Sequence, residues 1–320
     1  MRSSHLPFKF SSLLISFILL FSAQSIFAQS GWQSTYFNNP NKISTIVKRD
    51  SLVSFAFSYP YSYNSKYFLK TTNDGDSWET TENYSLDTSY TIWNAKFITP
   101  NIGWAVGWIY FGDGAVLKTS NGGLNWIRQN LGITLNICRG LSVVNENTVW
   151  ISDYNHLICT TNSGQNWSIY NLFTGVENIN FISENTGWAL GNGILAKTTD
   201  GGQNFVRDTS FSRYNILSLC NLSQNDHWIL TRMGATQSFL FKTSNSGINW
   251  NLLYSSYTPY GNVKLLNSTT GYVYGYNALL RTTNGGLSWD SSNVNSSLQI
   301  NSVLPVDGST LFAAGNKTVT

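Results

Sequence analysis

Charge is scarce in this chain: Asp, Glu, Lys and Arg together make up 11% of the residues, with 19 basic against 16 acidic side chains. That near-balance excludes a surface built for nucleic acid, whose binding rests on many phosphate contacts. Cysteine is almost absent. Cys138, Cys159 and Cys220 are an odd set with no CxxC or CxxH spacing. They read as small buried apolar residues rather than a disulfide framework, even in an oxidising compartment. Histidine is as rare, with only His156 and His227 beyond His5, so a histidine metal site lacks ligands and neither metal nor cofactor is expected. No stretch keeps a helical period with caps, and no segment after the first 28 residues is long and apolar enough to cross a bilayer.

Those first residues form a unit of their own. Arg2 and Lys9 make a basic start, Phe10 to Phe21 is an apolar run, and small-residue sites follow at Ala23-Gln24-Ser25 and Ile26-Phe27-Ala28. This is the layout of a cleaved secretory signal. An uncleaved anchor is the alternative, but it needs about 20 apolar residues. With no Cys near the cleavage site, a lipid anchor is not expected. The domain plan is therefore a signal at 1–28 and one domain at 29–320, secreted or periplasmic in the cell envelope. Without the leader 17 basic residues face 16 acidic ones, a net charge of +1.

What the chain does have is Asn, Ser, Thr, Gly and aromatic residues, including 12 Trp, 17 Tyr and 18 Phe. Such a composition suits β-structure with many turns. One segment returns six times: KTTNDGDSW from 70, KTSNGGLNW from 118, CTTNSGQNW from 159, KTTDGGQNF from 197, KTSNSGINW from 242 and RTTNGGLSW from 281. The closing aromatics Trp78, Trp126, Trp167, Phe205, Trp250 and Trp289 are 48, 41, 38, 45 and 39 residues apart. A period near 40 is that of a four-stranded propeller blade. A second landmark runs in step with it: GWAVGW at 103, GWALGN at 187 and GYVYGY at 271, with Trp150 and Trp228 in the same place. The aromatic of this landmark precedes the closing aromatic by 22, 17, 17, 22 and 17 residues, so an insertion of five is used twice.

Each unit reads as four short strands. In the second, Trp93, Ala95 and Phe97 alternate in the first strand, Gly103 to Gly107 form the second, Ala115 to Thr119 the third and Asn125 to Arg128 the fourth. The repeated segment supplies the parts of a turn. Asn73, Asn121, Asn162, Asp200, Asn245 and Asn284 accept bonds from backbone N–H groups a few residues on. Gly75, Gly123, Gly164, Gly202, Gly247 and Gly286 take a positive φ that a Cβ would penalise. The closing aromatic packs over the turn. All of these parts serve the turn itself, and six equal copies around a ring are a structural device rather than one active site.

The six segments resemble the Asp-box, or bacterial neuraminidase repeat, with form S/T-x-D/N-x-G-x-x-W. GWALGNGILAKTTDGGQNF most resembles the photosystem II assembly-factor type of propeller. Five of the six boxes carry Asn where that family favours Asp, and Phe205 stands in place of Trp. The resemblance implies an all-β β-propeller of four-stranded blades. After Trp289 the chain resumes with the first strands of another unit, while SGWQSTYF from 30 resembles a last strand without its predecessors. Joining the two makes seven blades, the last closed by N- and C-terminal strands.

For function, the resemblance to sialidases stops at the boxes: no Arg-Ile-Pro motif is present. Xyloglucanases of this repeat type need two propellers, and the chain has length for one. Glu82, Asp87 and Asp113 are the one cluster that could pair carboxylates across loops. Insertions in repeat proteins map to one face, often the binding face. The longest loops, 58–67 and 79–91, flank the first two blades on the face opposite the boxes. Tyr59, Tyr61, Tyr63, Tyr84, Trp108, Tyr110 and Asp113 are therefore the candidate ligand or partner site. The expected protein is a non-catalytic, monomeric binding or assembly module for a protein or glycan. The alternative is a glycan-binding or sialidase-type glycosidase propeller.

Overall fold

In a computed structural model of the chain, described for residues 16–21, 32–37, 42–59, 68–80, 90–109, 112–171, 174–276, 278–292, 298–307 and 311–317, the structure is antiparallel β almost throughout. Six four-stranded sheets are each made from four strands consecutive in the chain. They are blade 1 (Lys42–Thr80), blade 2 (Tyr90–Arg128), blade 3 (Gly140–Tyr170), blade 4 (Val176–Arg207), blade 5 (Asn215–Ser256) and blade 6 (Tyr260–Ser292). The first strands of neighbouring blades lie side by side around a common axis, which makes the fold a β-propeller.

Six consecutive-strand blades are what the structure shows, rather than the seven expected. The remaining sheet is composite, in the order Trp32–Phe37, Ser16–Phe21, Leu311–Lys317, Leu298–Pro305. It sits between blade 6 and blade 1: Tyr272 and Tyr274 share a buried cluster with Ile300 and Val303, and Trp78 shares another with Phe312. Its strand Ser16–Phe21 comes from the segment expected to be a leader and pairs along its length with Leu311–Asn316.

The core is divided among the interfaces between sheets. Phe55 and Phe57 of blade 1 meet Phe97 and Trp126 of blade 2, and Trp104 and Val106 meet Leu141 and Ile158 of blade 3. Trp104, Trp150, Trp188 and Trp228, the landmark aromatics, are buried.

The repeated turns have one geometry. In all six the Thr Oγ1 accepts the glycine N–H, from 2.8 Å at Gly75 to 3.0 Å at Gly286, and donates to the Asn or Asp carboxamide or carboxylate oxygen. That oxygen accepts the N–H four residues on, for example Asn125 N at 2.9 Å. The glycine φ values run from 82° to 91°. The closing aromatic can lie by its own turn, as Trp250 does beside Gly247, and it also reaches the preceding blade. Trp167 packs edge-on to Trp104 at 5.8 Å, and Trp289 to Trp228 at 5.9 Å. The same landmark indoles lie under the next blade's glycine: a Cβ on Gly202 would sit 2.3 Å from Trp150, and one on Gly286 3.0 Å from Trp228. Lysines complete the lock. Lys118 Nζ lies 5.2 Å over the Trp104 ring and donates to Ser163 O of blade 3 at 2.7 Å, and Lys197 repeats this over Trp188 toward Ser246.

The three cysteines are free; Cys138 and Cys159 lie in the apolar clusters, and burial pushes the Cys159 thiol up to about 12. His227 is buried against Trp188, with ring centroids 4.3 Å apart. One ring nitrogen reaches Gln224 O at 3.1 Å and the other, Nδ1, has no partner. Burial, with Lys197 adding to it, lowers the imidazole to about 4.

Gly202→Ala is expected to destabilise the protein by well over the ~1 kcal/mol of a positive-φ position, because the methyl group also strikes Trp150. Gly132→Ala, at φ 76° with open space around it, should cost only the conformational share; equal losses in urea unfolding would refute the interlock. The histidine gives a pH signature. Since folding disfavours the imidazolium, the unfolded chain binds more protons between pH 6.5 and about 4, and stability falls as pH drops through that window. The loss attributable to His227 should reach about 3 kcal/mol. Unfolding midpoints of His227→Phe should be flatter than wild type over this range; parallel curves would exclude the effect.

Candidate functional site

Antiparallel order fixes which groups share an end of the propeller. The turn between first and second strands and the repeated turn lie together, joined by bonds such as Gly122 N to Asn101 O at 2.9 Å. The turn between second and third strands and the link to the next blade lie at the other end. Blade 4 shows the plain hairpin, Gly187–Gly191 with Ile194–Thr198. In blades 2 and 5 the insertion lengthens the hairpin strands: Gly103–Ile109 with Gly114–Thr119 in one, His227–Met233 with Gln237–Thr243 in the other. Trp108 stands on this extra length.

The first strand of blade 2 has a bulge between Ile92 and Asn94. Ile92 and Ala95 go into the core, and Trp93, which simple alternation would bury with Ala95 and Phe97, is turned out and left 43% exposed. It meets half-buried Trp108, with centroids 5.5 Å apart and planes tilted by 41°. The guanidinium of Arg139, the residue before the first strand of blade 3, lies 5.3 Å over the Trp93 ring. Arg139 also pairs with Glu177, the bulged residue of blade 4's first strand, at 3.6 Å. Tyr154, in the hairpin turn of blade 3, is exposed and holds φ 78°. Its carbonyl accepts Gly175 N at 2.7 Å, tying the turn to the start of blade 4. Beneath, Asp153 is fully buried and accepts the N–H groups of Asn136, Asn155 and His156 and the His156 ring at 3.0 Å. The result is a ledge across blades 2 to 4 that runs from aromatic to cation to anion.

Of the residues expected to form the site, Trp108 belongs to this ledge and Asp113 is exposed beside it in the hairpin turn. Tyr61, Tyr63, Tyr84 and Tyr110, with Glu82 and Asp87, lie outside the described residues; Tyr59 is described only as the end of a strand. Trp93, Arg139, Glu177 and Tyr154 were not expected. For Trp93, Arg139 and Glu177 the signal was a shared position two residues before a first-strand core residue in successive blades; Tyr154, in a hairpin turn, had none. At the opposite end a groove of about 390 Å³ between blades 5 and 6 holds one carboxylate, Asp226, which accepts from Ser223 Oγ at 2.9 Å. No cluster of three metal-ligating side chains occurs among the described residues. None of their helices is long and apolar enough to cross a membrane.

Fold and ledge together define the class: an all-β propeller of four-stranded antiparallel blades with an aromatic, charge-flanked patch at the hairpin end. No protein-family model matches the chain, and no curated protein does. Solved structures do. YCF48 bound to a D1 peptide matches with a TM-score of 0.63 and 16% identity, covering 88% of this chain and 94% of that one. YCF48 from Cyanidioschyzon merolae matches at 0.62 and 15%, covering 87% and 95%. The GH74 xyloglucanase from Xanthomonas campestris matches at 0.66 and 11%; the alignment covers 86% of this chain but 51% of the enzyme. At these identities the likeness is one of fold.

Proposed function

We propose that this chain is an exported, non-catalytic β-propeller that binds a protein partner through the Trp93 ledge. The observation that carries the reading is an exposed indole held in place by Trp108 on one side and Arg139 on the other. Pre-ordered Trp and Arg side chains lose little entropy on binding and dominate interface energetics. With so little net charge, affinity comes from aromatic burial, while Arg139 and Glu177 supply orientation. YCF48, whose D1 peptide complex spans nearly the same length of chain, supports a protein ligand, in keeping with the sequence resemblance to assembly-factor propellers. The six repeated turns act as structural Asp-boxes in this reading. A second reading, glycan binding, is favoured by the same exposed indole, since a sugar face stacks on Trp as well as a side chain does.

Trp93→Ala and Trp108→Ala should each weaken capture of the partner from the native envelope by about thirtyfold, equivalent to about 2 kcal/mol, without lowering the melting temperature by more than a few degrees. Tyr257→Ala, 78% exposed in the link before blade 6, is the control and should change neither. Unchanged capture by both Trp variants would move the site elsewhere. Glycans retained on an array by wild type and lost by Trp93→Ala would favour the second reading.

The composite sheet serves as the seventh blade in this proposal, and residues 1–28 as an export leader. Removal of the leader takes Ser16–Phe21 away, and Trp32–Phe37, which now runs parallel to Leu311–Lys317, then turns round to pair with it antiparallel. A chain beginning at Gln29 should therefore melt close to the full-length protein, whereas further deletion of residues 30–38 should destabilise it as the loss of a core strand would. If the chain from Gln29 does not fold, Ser16–Phe21 is a permanent strand and the leader reading fails.

A further inference from the structure

The wall of the axial channel carries a second feature, independent of the ledge. Near the axis, side chains of one first strand bond to the backbone of the next. Ser142 Oγ accepts Phe181 N at 2.8 Å, Asn180 Nδ2 donates to Leu219 O at 3.0 Å, and Asn301 Nδ2 donates to Ile43 O at 2.7 Å. Two lysines stand in this belt. Lys96 follows the core residue Ala95 of blade 2, and Lys264 follows Val263 of blade 6; their second-strand partners are the landmark aromatics Trp104 and Tyr272. The shared register puts both at one height. Blades 2 and 6 are separated by three sheets one way round and two the other, so the two lysines stand on nearly opposite walls of the ring.

The electrostatics of Lys96 agree with that placement. Crowding around its ammonium lowers the proton affinity of Lys96, and the positive charge of Lys264 lowers it further. Both lysines are nonetheless exposed to solvent. Lys96 Nζ spends one N–H on Val143 O at 3.0 Å. Lys264 has no ion-pair or hydrogen-bond partner among the described residues. At the same height the other sheets offer Ser142, Asn180, the Cys220 thiol and apolar Val47 and Leu304, with no carboxylate. Glu177, above this level, is taken by Arg139. Two like charges brought together without a counter-charge are destabilising as they stand, and a bound anion reverses the sign of that interaction.

We propose that the axial channel is an oxyanion site in which Lys96 and Lys264 clamp a phosphate-class dianion from opposite walls. Lysine serves such ligands as a point charge with free N–H donors, and here five of the six N–H bonds of the pair remain available. A free ion and the head of a small phosphate ester share this chemistry.

The test is thermal unfolding of the full chain in phosphate against sodium chloride at matched ionic strength, with glycerol 3-phosphate as the ester arm. Saturating phosphate should raise the melting temperature by about 3 °C or more. Lys264→Gln should abolish that shift and Lys264→Arg should keep it. If only inorganic phosphate acts, the occupant is the free ion; if the ester acts as well, the channel admits a larger ligand. A complementary readout is the titration of Lys96 followed by NMR on dimethylated lysines, whose midpoint should rise when phosphate binds. Equal shifts in wild type and Lys264→Gln, or no advantage of phosphate over chloride, would overturn the proposal. So would a Lys264→Gln protein less stable than wild type in chloride, since Lys264 would then already be compensated.

Discussion

A single steric condition recurs in this fold: at Gly164, Gly202 and Gly286 the glycine of the repeated turn lies where the preceding blade's landmark indole passes beneath it. At Gly202 and Gly286 there is no room for a methyl group above Trp150 and Trp228, and the backbone holds a positive φ besides. A buried indole carries the largest apolar area any side chain can contribute, and it can lie across the interface only because the opposing residue has no side chain. The closing aromatic then covers the indole edge-on, and the lysine beginning the segment caps its face and bonds to the next turn. Turn, landmark and lysine thus recur in step because each blade supplies half of a lock and receives the other half.

That lock constrains one end of the propeller and leaves the other free. At the box end the turns are tied to the first hairpin turn of their own blade and to the blade before, so length changes there would break several contacts at once. At the opposite end the hairpin between second and third strands is tied to the following blade by single backbone bonds, such as Gly175 N to Tyr154 O and Gly193 N to Tyr214 O. Blades 2 and 5 extend it, and in blade 2 the extension carries Trp108. Insertions at this end alter the surface without touching the core, which is why the candidate ledge is found there.

The ledge has a chemical order that follows the ring. Bulged or equivalent first-strand positions of three successive blades bring Trp93, Arg139 and Glu177 side by side. An exposed cation–π contact and an exposed ion pair are each worth only about 0–1 kcal/mol, so they add little to folding. Their effect is to hold a large aromatic surface ready at the solvent boundary.

Much of this was legible in the chain. Box spacing and the second landmark determined the four-strand unit, its period and the roles of Thr, Asn and Gly, because those depend on bonds within a few residues of each other. Where Trp167 packs was not legible, since its partner Trp104 belongs to another repeat. Nor was Trp93: alternation assigns it to the core with Ala95 and Phe97, but a bulge breaks the period of two and expels it. The composite sheet shows the same limit, since the apolar composition of Ser16–Phe21 led to the expectation of a leader, while its pairing with Leu311–Asn316 joins distant parts of the chain. Lys96 and Lys264 are 168 residues apart in sequence and stand at one register position of facing blades only because the ring closes. Local hydrogen bonding wrote the repeat into the sequence; register, bulges and ring closure, which act between distant residues, decided which side chains reach the surface and which face each other across the axis.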